Sequence, residues 1–236
     1  MEKINKYSKK EDYSFTMGAF PTYELILKRP NLVKIIYIHE NYHEKEELIS
    51  MLREKNIAYE INGKVINRLA KKENTFVMGV FEKFNDNILE RSHVVLDEIT
   101  DMGNLGTILR TMNAFGVRDL ALVGNVCDIF NPKTIRASMG SIFDIRFEHF
   151  DTFEQYYEKF GENREIKLFM LSNNMEDSLR ETKKPELFSL VFGNEGSGLP
   201  EDYIKYGTKV FIPQSDSVDS LNLTIAVGVG LYEFKK

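Results

Sequence analysis

The polar side chains that could do chemistry in this chain follow apolar stretches at three places. The first place contains Asn104 and Arg110. The second is the loop Gly193-Asn-Glu-Gly-Ser-Gly198. The third begins at Ile212-Pro213 and ends at Ser220-Leu-Asn222. Arginine offers a planar donor fork suited to phosphate, and asparagine in a turn can hold a hydroxyl. Open α/β sheets bind ligands outside the carboxyl ends of their strands. The three places therefore predict one shared pocket.

The loop at 193–198 follows a buried strand and is expected to expose several backbone N–H groups beside the Glu195 carboxylate. It lacks the Gly-Lys-Ser/Thr ending of a phosphate loop and the Gly-x-Gly-x-x-Gly spacing of a dinucleotide site. Because Glu195 would repel phosphate, a cationic or zwitterionic ligand fits better. The alternative is a tight turn before a helix that begins near Pro200. Asn104 could likewise be a turn former in a loop, and Arg110 a surface residue near the end of the second helical turn.

His39-Glu-Asn-Tyr-His43 matches the zinc-protease pattern His-Glu-x-x-His, which would make the chain a metallopeptidase. That chemistry needs both imidazoles on one helix face. The preceding Lys34–Ile38 is β-branched and typical of a strand. We therefore interpret the match as chance and expect no metal site.

Composition limits the classes of protein. The 236 residues have 42% hydrophobic content, enough for a core, and Cys127 is the only cysteine, which suits a reducing compartment. We see no signal peptide and no apolar run near the roughly 18 residues of a membrane span. These features predict a cytoplasmic protein that does not enter a membrane.

The net charge of −5 argues against a dedicated nucleic-acid binder but hides a gradient. Residues 1–85 carry 15 Lys and Arg against 12 Asp and Glu, and the remainder carries 16 against 24. Basic pairs such as Lys9-Lys10, Lys28-Arg29 and Lys71-Lys72 could meet phosphates, or they could be solvated surface.

Alternating strands and helices predict an α/β fold with a mostly parallel, doubly covered sheet. We place a small α/β domain at 1–85, a linker at 86–91 and a larger domain at 92–236. Predicted helices cover 18–28, a segment around 48–52, 65–70, 107–115 after a glycine loop at 101–106, 131–140, 153–160 and 220–234. Predicted strands cover 32–38, 57–61, 76–81, 93–97, 120–123, 142–147, 166–171, 190–192 and 210–212. The last helix is apolar nearly all round.

The three motifs together, in this order, resemble the SpoU (TrmH) family of the SPOUT class. They read Asn104-x-Gly106-x-x-x-Arg110, Phe192-Gly-Asn-Glu195-Gly-x-Gly-Leu199, and Ile212-Pro213 with Ser220-Leu-Asn222-Leu-Thr224. The similarity spans about residues 92 to 234, and Ala137-Ser-Met-Gly-Ser141 adds to it. Two positions depart from the family pattern: Met102 replaces a usual proline, and Asp216 replaces a common glycine.

The resemblance implies a carboxyl-terminal trefoil knot, S-adenosylmethionine as cofactor, a homodimer and RNA ribose 2′-O-methylation. Its amino-terminal unit is similar, more weakly, to the small RNA substrate-binding domain of many members. The implied catalytic residues are Asn104, Arg110, Glu195, Ser220 and Asn222. The implied cofactor-binding residues are Phe192, Gly193, Asn194, Gly196, Gly198, Ile212, Pro213, Leu221 and Asn222.

Arg110 is often proposed as the base in this family, but a guanidinium stays protonated in proteins. We interpret Arg110 instead as a ligand of the neighbouring phosphate and of the developing alkoxide, with phosphate or water accepting the proton. Ribosomal RNA is the preferred substrate and tRNA the runner-up, by analogy of fold. A non-catalytic RNA-binding protein with the same fold is the rival hypothesis; the retained polar residues count against it, and Asp216 counts for it.

Overall fold

The computed structural model describes residues 4–70, 74–171, 175–215, 217 and 220–235. In chain order its strands and α-helices are β1 Tyr13–Met17, α1 Ala19–Lys28, β2 Val33–Ile38, α2 Lys45–Glu54, β3 Tyr59–Ile61, α3 Gly63–Leu69, β4 Val77–Glu82, β5 His93–Asp97, α4 Met102–Ala114, β6 Asp119–Val123, α5 Pro132–Ala137, β7 Arg146–Phe150, α6 Phe153–Phe160, β8 Glu165–Phe169, β9 Phe188–Phe192, β10 Thr208–Val210 and α7 Leu223–Phe234. Short 3-10 helices cover Pro30–Leu32, Ser141–Asp144, Met175–Asp177 and Glu201–Tyr206.

The chain divides into two compact units, one of Met1–Phe84 with Asp128–Asp144 and one of Asn85–Cys127 with Ile145–Lys236. The segment 128–144 departs from the predicted division, which placed it in the second domain. Its rings explain the difference: Phe130 and Phe143 pack against Phe81, with centroids 6.3 and 5.2 Å away. The buried Ser14 hydroxyl also donates to the Phe130 carbonyl. The segment therefore completes the core of the first unit.

The first unit holds a four-stranded sheet in the order β1-β4-β2-β3. Strand β4 is antiparallel to β1 and β2, while β2 and β3 are parallel. Side chains of α1 and α2 cover one face, where Ile26, Leu48 and Leu52 are fully buried, and α3 covers the other with Ile66.

Strand β1 was missed because its inward residues include hydroxyls rather than apolar side chains. Ser14 and Thr16 are fully buried, and Thr16 Oγ1 accepts the N–H of Gly79 at 2.9 Å. Burial is tolerated because the hydroxyls are bonded.

The second unit is built on a six-stranded sheet in the order β10-β8-β9-β5-β6-β7, and every pairing in it is parallel. Three of the four interior strands, β9, β5 and β6, are buried along their whole length. Helix α6 packs on one face through Phe153, Tyr156 and Phe160. Helices α4 and α7 pack on each other, and α7 also contacts β9. All strands point the same way, so their carboxyl ends meet at one edge.

The predicted strand over 142–147 is wrong in its first half. Residues Ser141–Asp144 form a 3-10 helix, and β7 begins only at Arg146. Ile142 and Phe143 are apolar because they are buried in the first unit, not because they lie in the sheet. Among the described residues, no helix is long and apolar enough to span a membrane.

Candidate functional site

The first turn of α4 positions Asn104 just beyond the end of β5. The Asp101 carboxylate caps this helix, with Oδ1 accepting the N–H of Asn104 at 2.8 Å. The cap satisfies one of the free N–H groups at the helix start, which lets the helix begin at Met102. The predicted loop over 101–106 is therefore wrong, and Asn104 lies inside the helix.

Asn104 and Glu195 meet in a direct hydrogen bond. The Nδ2 amide of Asn104 donates to Oε1 of Glu195 at 2.9 Å, across 91 residues of sequence. The bond leaves the second carboxylate oxygen able to accept from another donor. Two of the predicted catalytic residues are thus brought together, at the carboxyl edge of the parallel sheet.

Asn194 closes the loop that follows β9. Its Oδ1 accepts the N–H of Gly196 at 2.8 Å, and its backbone carbonyl accepts the N–H of Gly198 at 2.9 Å. Its Nδ2 donates to the Glu98 carbonyl at 2.8 Å, which ties the loop to the end of β5. The expectation that this loop exposes those N–H groups is therefore wrong, because the Asn194 side chain and carbonyl bind them.

Two glycines make this loop possible. A Cβ on Gly193 would lie 2.3 Å from the backbone C and O of Gly198, where no side chain fits. Gly198 has a φ of +69°, in the left-handed region that glycine adopts without a steric cost.

Phe192 anchors the loop to the core and to α7. It is 2% exposed, and its ring stacks on Phe169 with centroids 4.3 Å apart. Gly230 of α7 faces this pair, since a Cβ there would lie 2.9 Å from Phe169 Cζ. The backbone of α7 therefore packs directly against the strands that carry the loop.

The carboxyl-terminal segment brings the third motif to the same unit. Beyond β10, the Phe211 N–H donates to Asp177 at 3.0 Å, and its carbonyl accepts from Leu179 at 2.8 Å. Ile212 and Pro213 follow, half-buried. Asp216, the departure from the family pattern, lies outside the described residues.

Asn222 caps α7, after the exposed Ser220 and the half-buried Leu221. Its Oδ1 accepts the N–H of Thr224 at 2.9 Å and the Thr224 hydroxyl at 2.6 Å. The predicted functional asparagine thus uses its carbonyl oxygen to cap α7.

Arg110 lies exposed in the third turn of α4, one turn later than predicted because the helix begins earlier. It is six residues beyond Asn104, about 9 Å along the axis. Within the described ranges no hydrogen bond or ion pair reaches its guanidinium. Neither Arg110 nor Ser220 is bonded to the Asn104–Glu195 pair among those residues.

A pocket of about 330 Å³ opens at the ends of β5, β6 and β7, and sequence reasoning missed it. Its lining includes Asp97, Glu98, Asp151, Phe153 and Tyr203. Burial raises the pKa of Asp97, while a hydrogen bond from Tyr203 acts in the opposite direction. The sequence could have suggested Asp97 as a pocket residue, because it lies at the end of a predicted strand. The sequence could not have suggested Tyr203, because this residue reaches the pocket from a 3-10 helix far along the chain.

The segment His39–His43 is not helical, as expected from its sequence. The Glu40 carboxylate accepts the N–H of Gly63, and His39 Nδ1 accepts that of Asn41 at 3.1 Å. The described part of the chain contains no group of three His, Cys, Asp or Glu side chains placed to hold a metal ion.

Comparison with known proteins matches residues 91–232 to the SpoU rRNA Methylase family. A Synechocystis protein named as an uncharacterized tRNA/rRNA methyltransferase is 33% identical over 186 residues, which cover 76% of this chain and 67% of that protein. The 23S rRNA (guanosine(2553)-2′-O)-methyltransferase of Bacillus subtilis is 30% identical over 146 residues, covering 61% of this chain and 58% of the relative.

Two solved structures of an rRNA methyltransferase from Sinorhizobium meliloti are similar over 94% of this chain, at 28% identity. The first has a TM-score of 0.77 and is covered to 86%. The second, described as AdoMet bound, has a TM-score of 0.75 and is covered to 87%. The family match extends over more than half of the chain, including all three motifs, and the chain therefore belongs to the SpoU rRNA methylase family.

Proposed function

We propose that this protein is an S-adenosylmethionine-dependent RNA 2′-O-ribose methyltransferase that acts on ribosomal RNA. One observation carries the proposal: Asn104 of the first motif is hydrogen-bonded to Glu195 of the second, at the carboxyl edge of a parallel sheet. The pair lies inside the family match. Ribosomal RNA is preferred because the Bacillus relative is named for it, and tRNA is the alternative because the Synechocystis relative is named for both.

The residues of the second and third motifs fit the cofactor. A side chain at Gly193 would collide with the Gly198 backbone, so glycine keeps the loop of the second motif in its closed form. Residues 212–215 and 220–222 belong to no helix or strand, although the Asn222 carbonyl accepts the N–H of Ala226 in the first turn of α7 at 3.1 Å. We assign cofactor binding to Phe192, Gly193, Asn194, Gly196, Gly198, Ile212, Pro213, Leu221 and Asn222. The bound cofactor supplies a methyl group on a positively charged sulfur.

The residues of the chain have to align a ribose hydroxyl and help to remove its proton. The Glu195 carboxylate, held by Asn104, accepts a hydrogen bond from the ribose. Arg110 binds the neighbouring phosphate and stabilises the developing alkoxide through its donor fork. Ser220 and the Asn222 amide N–H groups complete the polar set. The proton leaves to phosphate or water, since arginine remains protonated.

A carboxyl-terminal trefoil knot is part of the proposal. Strand β10 lies at the sheet edge beside β8, and Phe211 is bonded to the segment 177–179 of the β8–β9 connection. The chain then returns as α7 to pack on α4 and β9. Passage of the last segment beneath that connection would account for these contacts.

A homodimer is also proposed, with α7 and the end of α4 as its contact surface. Ile225 and Tyr232 of α7 are 54% and 62% exposed, and the Tyr232 ring lies 6.4 Å from that of Phe115. Apolar side chains of this size are typical of subunit contacts. Light scattering of the purified protein measures the mass directly, and a monomer at micromolar concentration would refute the dimer.

The first unit, with its excess of basic residues, is proposed as the RNA substrate-binding domain, and the cytoplasm as the location. The single cysteine is consistent with a reducing compartment. Mapping ribose methylations lost from total RNA after gene deletion would identify the substrate. A lost site in tRNA with none in ribosomal RNA would favour the alternative.

Calorimetry with S-adenosylmethionine tests the enzyme hypothesis. We expect one binding event, and transfer of a labelled methyl group to ribosomal RNA. An absence of binding at millimolar cofactor would favour a non-catalytic RNA-binding protein with the same fold.

A further inference from the structure

A pocket lies at the ends of β5, β6 and β7, and of its lining residues only Gly198 is among those assigned above to the cofactor. Its volume of about 330 Å³ lies at the small end of the usual range for ligand pockets, about 300–1,000 Å³. One wall is apolar and aromatic, because Phe153 and Tyr203 line it with their rings stacked 4.6 Å apart. The pocket therefore has the volume for a ligand of about one ring system beside an aromatic wall.

Hydrogen-bond acceptors line the rest of the pocket. Asp97 is only 6% exposed and accepts from the Tyr203 hydroxyl. A carboxylate can accept about four hydrogen bonds, so Asp97 keeps capacity toward the pocket. Glu98 and Asp151 add two exposed carboxylates. Three carboxylates favour a ligand that places N–H donors inside the pocket and keeps its phosphates outside it.

The pocket shares a wall with the loop of the second motif. Ser197 and Gly198 line it, two and three residues beyond Glu195. The same loop is fixed to the pocket rim, because Asn194 Nδ2 donates to the Glu98 carbonyl at 2.8 Å. The Gly198 wall of the pocket therefore lies within about 11 Å of Glu195, the reach of three residues.

We propose that this pocket binds one splayed-out base of the RNA substrate and that it prefers guanine. Proteins that read single-stranded RNA stack such bases on aromatic rings and bond their edges. Guanine presents a ring N–H beside an amino group, both of which can donate to carboxylates. Uracil presents one N–H between two carbonyl oxygens, which face carboxylates unfavourably. The inference rests on the proposed function, because it takes the ligand to be RNA.

The test uses the full-length protein with saturating S-adenosylmethionine. Fluorescein-labelled oligouridylates of about ten nucleotides carry a central guanosine, inosine or uridine, and anisotropy gives each Kd. We expect the guanosine probe to bind roughly tenfold more tightly than the uridine probe. The inosine probe should lie between them, since it keeps the ring N–H and lacks the amino group.

Glu98→Gln and Asp151→Asn should each reduce the guanosine-to-uridine ratio toward one. Glu162→Gln removes an exposed carboxylate elsewhere in the same unit and should leave the ratio unchanged. A thermal unfolding scan of each variant confirms that it is folded.

Equal Kd values for the guanosine and uridine probes, or no binding of either, would overturn the pocket assignment while cofactor binding still supports the proposed function. The pocket assignment would also be overturned if Glu98→Gln bound all three probes more tightly by the same factor, because Glu98 would then act on RNA only by repelling its charge. Weaker cofactor binding in Glu98→Gln with an unchanged base preference would assign the pocket to the cofactor instead. Failure of the wild-type protein to bind cofactor refutes the proposed function.

Discussion

The buried His93 should make the stability of this protein fall as the pH is lowered. His93 is fully buried on β5; its Nε2 donates to the Leu89 carbonyl at 2.7 Å, because a carbonyl can only accept. Its Nδ1 therefore accepts from the Tyr156 hydroxyl at 2.8 Å. Both ring nitrogens are occupied by partners of the neutral imidazole.

Burial first, and then the positive charge of Arg164, lowers the pKa of His93 from its ordinary value of 6.5 to about 4. Above pH 6.5 both the folded and unfolded states hold a neutral imidazole, and the full stability is present. Between pH 6.5 and 4 only the unfolded state takes up the proton, so stability is lost as the pH falls. The loss is about 2 kcal/mol at pH 5 and approaches about 3 kcal/mol below pH 4.

Urea unfolding at a series of pH values from 7.5 to 4.5 measures this loss, with His93→Gln for comparison. Glutamine can donate to Leu89 and accept from Tyr156 without titrating in this range. Its free energy of unfolding should therefore change with pH less steeply than that of the wild type, by about 2 kcal/mol at pH 5. His43→Gln, at an exposed position, is the matched control. Identical slopes for wild type and His93→Gln would refute the reasoning.

Three further predictions concern the site. Arg110→Lys should lower kcat for methyl transfer about 100-fold with unchanged cofactor affinity, because an ammonium cannot replace the donor fork; near-normal turnover would contradict this role. Gly193→Ala should lower the free energy of unfolding by at least about 3 kcal/mol, because the added Cβ would meet the Gly198 backbone. Gly116→Ala is the control: its φ is +70° but the space around it is open, so the loss should be about 1 kcal/mol. Equal losses for the two variants would be inconsistent with the clash. Glu98→Gly should leave the free energy of unfolding unchanged or raise it by up to about 1 kcal/mol, because glycine relieves the strain of a φ of +52° but adds backbone entropy to the unfolded state. A fall in that free energy of more than about 1 kcal/mol would argue against strain at this position.

The sequence by itself determined the class of the fold and the family. Strand β5 and helix α6 follow the predicted bounds, and Asn131 caps α5 with its Oδ1 at 3.0 Å from the Lys133 N–H, as its type and position indicated. These features depend on local chemistry, namely apolar periodicity and capping, which can be read within a few residues. The family motifs were likewise legible because each is a short run of fixed residue types.

The tertiary structure decided what long-range contacts set. Asn104 bonds to Glu195 across 91 residues, and Asn194 binds the loop N–H groups that the sequence had left exposed. Neither contact can be predicted from neighbouring residues, because the order of strands in the sheet determines which distant residues come together. For the same reason, the local sequence could not predict that residues 128–144 belong to the first unit or that Tyr203 lines the pocket. Residue types limited which contacts could form, and the packing of distant segments selected among them.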